Sequence, residues 1–246
     1  MIDCRLFNFF TKGTQAINYI TKHDVEGFRH ERLFTMLDGF PIDQIEKRTK
    51  LAWVCLMTAV GIPMFLAGEE FADQHDFFDQ NGNVTQNGGK QINPVNYSRL
   101  VAGPPDPRDQ NPQQDNPDGF YGAMRREIFT YVKRLIKLRT TADALAVDDT
   151  DFLFTDFNDG KQVIVWRRGG VGSAAQPPIV VLANFSDFGS APGTDYVVPT
   201  WPGPAPAGKK WVEVSQFPEP RPVDPALVGR EAIFPWEAKV YTYADA

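Results

Sequence analysis

The stretch Ile17-Asn18-Tyr19-Ile20-Thr21-Lys22-His23-Asp24 decides the fold. Residues 16–20 form a short strand-like run, and the chain turns polar at once over residues 21–27. An imidazole and a carboxylate directly after a strand stand where parallel α/β barrels gather their active-site loops. His-Asp dipeptides are also common in solvated loops, so His23 and Asp24 take their meaning from what surrounds them.

Working outward, residues 32–37 and 45–60 read as helices, the longer one presenting Ile45, Leu51, Ala52, Cys55, Met57 and Ala59 as much of its apolar surface. Gly61 then stands where a helix-ending glycine belongs, and Pro63 prevents the helix from resuming. Residues 62–67 form a continuous apolar run, the pattern of a strand buried in a parallel sheet. Because the connection between the two strands is long and helical, they are expected to be parallel with a right-handed crossover. A polar excursion follows over residues 68–119, readable as disorder or as an elaborated loop at the carboxyl end of a strand. A helix over 121–139, with Ile128, Val132, Leu135 and Leu138 as its buried stripe, closes this half.

Beyond residue 151 the pattern becomes all-β. Short strands are expected at 163–166, 179–183, 196–198, 211–214 and 240–243. Asn158-Asp159-Gly160 signals a tight turn between 152–157 and 163–166. The boundary between the halves falls near residues 146–151.

Composition narrows the function classes. A net charge of −6 and the lack of any basic block argue against nucleic acid and anionic membrane as partners. No apolar stretch reaches the roughly 18 residues of a membrane span. Residues 1–10 carry an early acid and no small-residue cleavage site, so they are not read as a signal peptide. Cys4 and Cys55 form no disulfide framework and fit no metal motif; Cys55 is expected to be a small buried hydrophobe. A chain without disulfides fits a cytoplasmic location.

Five segments in order resemble the alpha-amylase superfamily, glycoside hydrolase family thirteen. Residues 17–24 resemble its fourth signature region, a strand ending in His-Asp. Residues 61–71, Gly61-Ile62-Pro63-Met64-Phe65-Leu66-Ala67-Gly68-Glu69-Glu70-Phe71, resemble its eighth barrel strand. Asn93-Pro94-Val95-Asn96-Tyr97-Ser98-Arg99-Leu100 is similar to the segment that follows, where many members carry Trp at the position of Tyr97. Arg139, ending Leu135-Ile136-Lys137-Leu138-Arg139, matches the last barrel helix, and Phe234-Pro235-Trp236-Glu237-Ala238-Lys239-Val240-Tyr241 resembles the end of the C-terminal domain.

The resemblance implies an α/β plus all-β chain. Residues 1–147 would be the last two strand–helix units of a TIM (β/α)8 barrel with the long loop 68–119, and residues 148–246 an antiparallel β-sandwich. It also implies retaining attack on α-glucosidic bonds, by an aspartate nucleophile and a glutamic acid about 5–5.5 Å apart. In the family those two carboxyls come from the fourth and fifth strands. By position Asp24 becomes the third carboxylate, which stabilises the transition state by accepting charge-assisted hydrogen bonds from the 2- and 3-hydroxyls. His23 would bond the same sugar. The implied partners are an α-glucan polysaccharide or oligosaccharide and the remaining barrel segment, and no cofactor is implied. Hydrolysis, branching and debranching share these late regions, and Gly68-Glu69-Glu70-Phe71 looks nearer to branching and debranching relatives.

Other residues carry two readings each. Glu69 and Glu70 either line the active-site rim, with Glu70 touching substrate, or orient the barrel loops. Tyr97 and Arg99 either contact sugar in outer subsites or pack their own loop. Asp73, His75, Asp76 and Asp79 are too irregularly spaced for a metal site and read as a solvated acidic loop. Gly27-Phe28-Arg29-His30-Glu31 resembles the stretch around the family's nucleophile only superficially, because it follows Asp24 too closely and carries Glu31. Arg29 and Glu31 are then expected to form a surface or structural ion pair. Trp166, Trp201, Trp211 and Trp236 could form a carbohydrate platform, but core packing of the sandwich accounts for most of them without one. Two strands cannot close a barrel of eight, so the chain is expected to be part of a longer enzyme. One half of a split barrel and a non-catalytic carbohydrate-binding protein are the alternatives.

Overall fold

The computed structural model describes residues 2–7, 9–22, 32–37, 39–74, 81, 95–100, 120–170, 176–191 and 194–246. The elements of the first half are β1 (Ile17–Tyr19), α1 (Leu33–Met36), α2 (Ile42–Thr58), β2 (Ile62–Met64), α3 (Phe120–Thr141) and α4 (Asp143–Ala146). The two long helices form where apolar residues recur at helical spacing without an internal Gly or Pro, apart from Gly122 in the first turn of α3. β1 and β2 pair as a two-stranded sheet, and each is shorter than expected. Neither is a buried strand of the expected kind: Ile17, Tyr19, Ile62 and Met64 are exposed, and among the described residues no further strand pairs with β1 or β2 to cover them.

The chain divides into two units, each built from separated segments. The first comprises Met1–Asn18, Lys50–Pro63 and Arg134–Ala246. Its centre is a six-stranded antiparallel sheet of β3 (Thr150–Asp156), β4 (Val163–Arg168), β5 (Ile179–Asn184), β6 (Lys209–Glu213), β7 (Arg221–Pro222) and β8 (Ala238–Asp245). The strand order is β3-β4-β5-β8-β6-β7. Asp159 and Gly160 both adopt positive φ in the turn joining β3 to β4, as the Asn-Asp-Gly signal requires. β5 is buried at every position, as expected of a central strand covered on both faces. One face carries Val163, Val165, Val180, Leu182, Trp211 and Tyr241. On the other face Trp166, Val181 and Val240 are equally buried.

Among the described residues these strands form one hydrogen-bonded sheet, and the second sheet of the expected sandwich is not seen among them. Residues 196–198 were expected as a strand, yet they form an extended cover in which the Tyr196 and Val198 amides donate to Glu231 and Gly229. Pro199 has no N–H to continue such a ladder. β7, which sequence patterning misses, tolerates Pro222 because it is the edge strand.

Two arginines tie this unit together. Arg139 donates to the carbonyls of Met57, Ala59 and Gly61 at 3.2, 2.8 and 2.6 Å, satisfying groups exposed where α2 ends. Arg168 donates to the carbonyls of Thr58, Val147 and Asp149. Burial pulls the Arg168 guanidinium down to about 10, with the nearby Arg139 charge adding to the effect. Cys4 is buried and Cys55 only partly so, both as free thiols; Cys55 is therefore less enclosed than its apolar helix suggested.

The second unit comprises Tyr19–Thr49 and Met64–Lys133. Among its described residues Phe34, Ile45, Phe71, Met124, Ile128, Tyr131 and Val132 are buried. Phe34 meets the edge of Tyr121, with ring centroids 5.8 Å apart.

Candidate functional site

After β2 the chain makes a sharp turn into a 3₁₀ segment, Glu69–Phe71, bounded by Gly68 and Ala72 in the left-handed region. A Cβ on Gly68 would lie 2.6 Å from the Arg32 guanidinium and 2.9 Å from the Asp73 side chain. Only glycine meets both the φ of +97° and that crowding. The turn delivers Asp73 into the interior, fully buried. It pairs with Arg99 at 2.6 Å and lies 3.9 Å from Arg32. Its second oxygen accepts from the Asn96 amide at 3.1 Å.

Both arginines are also held by backbone. Arg32 donates to the Ala67 carbonyl and Arg99 to the Gln74 carbonyl. A third buried arginine, Arg125 of α3, donates to the Gln74 amide oxygen at 3.3 Å and lies over the Phe34 ring at 4.9 Å. Asp73 is therefore the centre of a dry charged cluster, not part of a solvated acidic loop. No group of three or more metal-ligating side chains occurs among the described residues.

Glu69 and Glu70 separate sharply. The Glu70 carboxylate accepts from the Gly68 amide of its own turn at 2.7 Å. Glu69 is buried, and one of its oxygens accepts no hydrogen bond among the described residues. Burial pushes its carboxyl up to about 7; the neighbouring Thr21 hydroxyl, the Arg32 charge and the Leu33 amide pull the other way. Thr21, just beyond β1, is itself buried, its hydroxyl beside the Glu69 carboxyl without closing a hydrogen bond of standard geometry. The structure thus brings together the residue two places before His23 and the first glutamate of the turn that follows β2.

Of the residues singled out in the sequence, Tyr97 is exposed and lies against Phe71, with ring centroids 5.5 Å apart. Arg99, two residues on, points inward to Asp73. His23, Asp24, Arg29, Glu31, His75, Asp76 and Asp79 lie outside the described residues. Trp166 and Trp211 are buried in the sheet's core, as expected, and Trp201 packs edge-on against Trp211. Trp236 instead donates to the Asp187 carboxylate at 2.6 Å. Sequence reasoning missed Arg32 and Arg125 as partners in this cluster. Their only local signal was a cation within an otherwise apolar helical pattern.

No protein-family model matches the chain, and no curated protein matches it. Solved structures do match: the fold, a mixed α/β arrangement with a six-stranded antiparallel sheet, is shared with part of the pullulanase chain. The type I pullulanase of Bacillus subtilis str. 168, complexed with maltose, aligns over 94% of this chain and 28% of its own, with a TM-score of 0.59 and 16% identity. Pullulanase from Anoxybacillus sp. LM18-11, complexed with maltotetraose, aligns over 96% and 29%, with a TM-score of 0.56 and 18% identity. PulA from Klebsiella oxytoca aligns over 92% and 23%, with a TM-score of 0.61 and 16% identity. The chain therefore spans about a quarter of the length of the pullulanases it matches.

Proposed function

We propose that this chain is the C-terminal part of an α-glucan-acting enzyme of the alpha-amylase superfamily, working by retaining hydrolysis or transfer on starch- or glycogen-type chains. The observation that carries this is the likeness to pullulanases, which extends over nearly all of this chain but only about a quarter of theirs. The exposed apolar side chains of β1 and β2 support the same reading, since further barrel strands would cover them. Residues 1–147 supply the last two units of the barrel and residues 148–246 the C-terminal β domain. The enzyme acts in the cytoplasm.

In this reading Asp24 accepts hydrogen bonds from the sugar's 2- and 3-hydroxyls, and these strengthen as charge develops on the ring. His23 bonds the same sugar. Glu70 lines the rim, and Tyr97 offers its exposed ring to an outer subsite. Arg99 acts through position: held by Asp73, it fixes the segment from which Tyr97 projects. The nucleophile and general acid come from the remaining barrel segment.

The test compares the reading frame extended upstream with the 246-residue chain alone, on soluble starch and glycogen. The extended protein is expected to turn over an α-glucan and the short chain is not. Asp24→Asn in the extended protein should lower kcat by about 10²-fold or more with an unchanged melting temperature. Normal activity in Asp24→Asn would remove that residue from the mechanism. Turnover by the short chain alone would overturn the dependence on upstream carboxyls.

A further inference from the structure

Beside β6, β7 and β8 lies a cavity of about 220 Å³ whose walls differ from the core around it. Two phenylalanines that the fold does not bury, Phe217 and Phe234, stand at its rim, 43% and 54% exposed. Arg221 lies over the Phe217 ring at 4.4 Å, and Lys239 is 5.7 Å from the centre of the Phe234 ring. Glu213, Gln216, Glu231 and Glu237 complete the polar lining.

Gln216, Glu231, Glu237 and Arg221 each use only part of their hydrogen-bonding capacity inside the protein. One Glu231 oxygen accepts from the Tyr241 hydroxyl. One Glu237 oxygen accepts from the Phe234 amide at 3.0 Å. The Gln216 amide nitrogen donates to the Ala238 carbonyl. Among the described residues, the second oxygens of Glu231 and Glu237 and the Gln216 amide oxygen have no hydrogen-bond partner, and the Arg221 guanidinium has no acceptor. Three acidic side chains line the cavity with two basic ones, but the Glu213 carboxylate is already taken up by the Ser215, Gln216 and Val240 amides. The two acids and two bases left to a ligand favour neither an anion nor a cation. Such a lining suits a ligand with an apolar face and a rim of hydroxyls that both donate and accept. Sites for drug-sized ligands run from about 300 Å³ upward, so this one has room for a single ring.

We infer that this cavity binds one hexopyranose unit of a neutral glycan, with its C–H face on Phe234 and vicinal hydroxyls bonded to Glu231, Glu237 and Arg221. This site belongs to the β domain and does not depend on the strand-end reading.

Glucose and maltotetraose are titrated into the full chain while the ring signals of Phe217 and Phe234 are followed by NMR. Both sugars are expected to shift those signals. Phe234→Ala and Arg221→Gln change exposed side chains and should leave the melting temperature alone, while weakening binding by about tenfold. Asp24→Asn should leave the Phe217 and Phe234 shifts as they are, which separates this cavity from the strand-end site. Unmoved ring signals, or equal affinity in Phe234→Ala and Arg221→Gln, would overturn the proposal. Tighter binding of glucosamine or glucuronate than of glucose would overturn the neutral class of ligand.

Discussion

In the six-stranded sheet, Val163, Val165, Val180 and Leu182 are withdrawn from water among other apolar side chains; in the second unit, Asp73, Arg32, Arg99 and Arg125 are withdrawn just as far and carry charge. The sheet gains about 25 cal/mol for each Å² of apolar surface it hides, and that gain is spread over many side chains. The charged cluster gains little net free energy from its pairs, because attraction is offset by lost hydration. What it contributes is geometry. Asp73 ties the turn after β2, the 95–100 segment and Arg32 to one point. A distributed interaction tolerates the loss of one member, and a centred one does not.

Removing the centre should therefore give the largest effect. Asp73→Ala removes the carboxylate that lies 2.6 Å from buried Arg99, and breaking a buried pair from one side destabilises by about 3–5 kcal/mol. Urea unfolding should show that loss, and hydrogen exchange should show faster exchange at the Asn96 amide, whose acceptor is gone. An effect within about 0.5 kcal/mol, the range of ordinary surface substitutions, would break the contrast with the sheet.

The same contrast explains what could be read from sequence. The strand expected at 179–183 is β5, Ile179–Asn184, and the helix expected at 45–60 is α2, Ile42–Thr58. Apolar periodicity reports such elements directly, because it is local. Asp73 was misread because its partner Arg99 is 26 residues away, and polar residues carry no period that betrays burial. Glu69 and Glu70 are neighbours with identical side chains. Only the left-handed geometry at Gly68 and Ala72 decides which one turns inward. The second layer over the sheet was mistaken for strands because apolar residues at 196–198 look alike whether or not their ladder continues past Pro199. Of the site itself, the pairing of β1 with β2 and the buried Thr21 are visible, while His23 and Asp24 lie outside the described residues.

A smaller effect should follow from Glu69, and its sign is set by pH. Its folded pKa of about 7 lies above the ordinary 4.5, so the native state holds the proton more tightly than the unfolded chain does. The group's stabilising share is complete below about pH 4.5 and is lost as pH rises through about 7. Above that, an ionised buried carboxylate opposes folding by about 2–3 kcal/mol. Glu69→Gln removes the titration and keeps the shape. The stability of the variant relative to the parent should thus rise by about 2–3 kcal/mol between pH 4.5 and pH 8. Glu237, also raised by burial, titrates in both proteins and cancels from the difference. A difference that stays flat with pH would mean that Glu69 is not withdrawn from water as the turn geometry requires.

The smallest effect sharpens the comparison most, because it holds the chemistry constant. Arg167 and Asp151 pair across β4 and β3 at 3.0 Å, close to the 2.6 Å of Arg99 and Asp73. The side chains of the first pair are 21% and 49% exposed, and those of the second are not exposed at all. Water and ions already solvate Arg167 when its partner is lost, so Asp151→Asn should change stability by no more than about 1 kcal/mol. About 1 M NaCl shortens the screening length to about 3 Å and should erase even that. Asp73→Asn should keep most of its effect in the same salt, since ions do not reach a charge that water does not. If both variants lost the same stability and responded alike to salt, the Asp73 cluster would be a hydrated surface network, and its role in fixing the turn after β2 would fall with it.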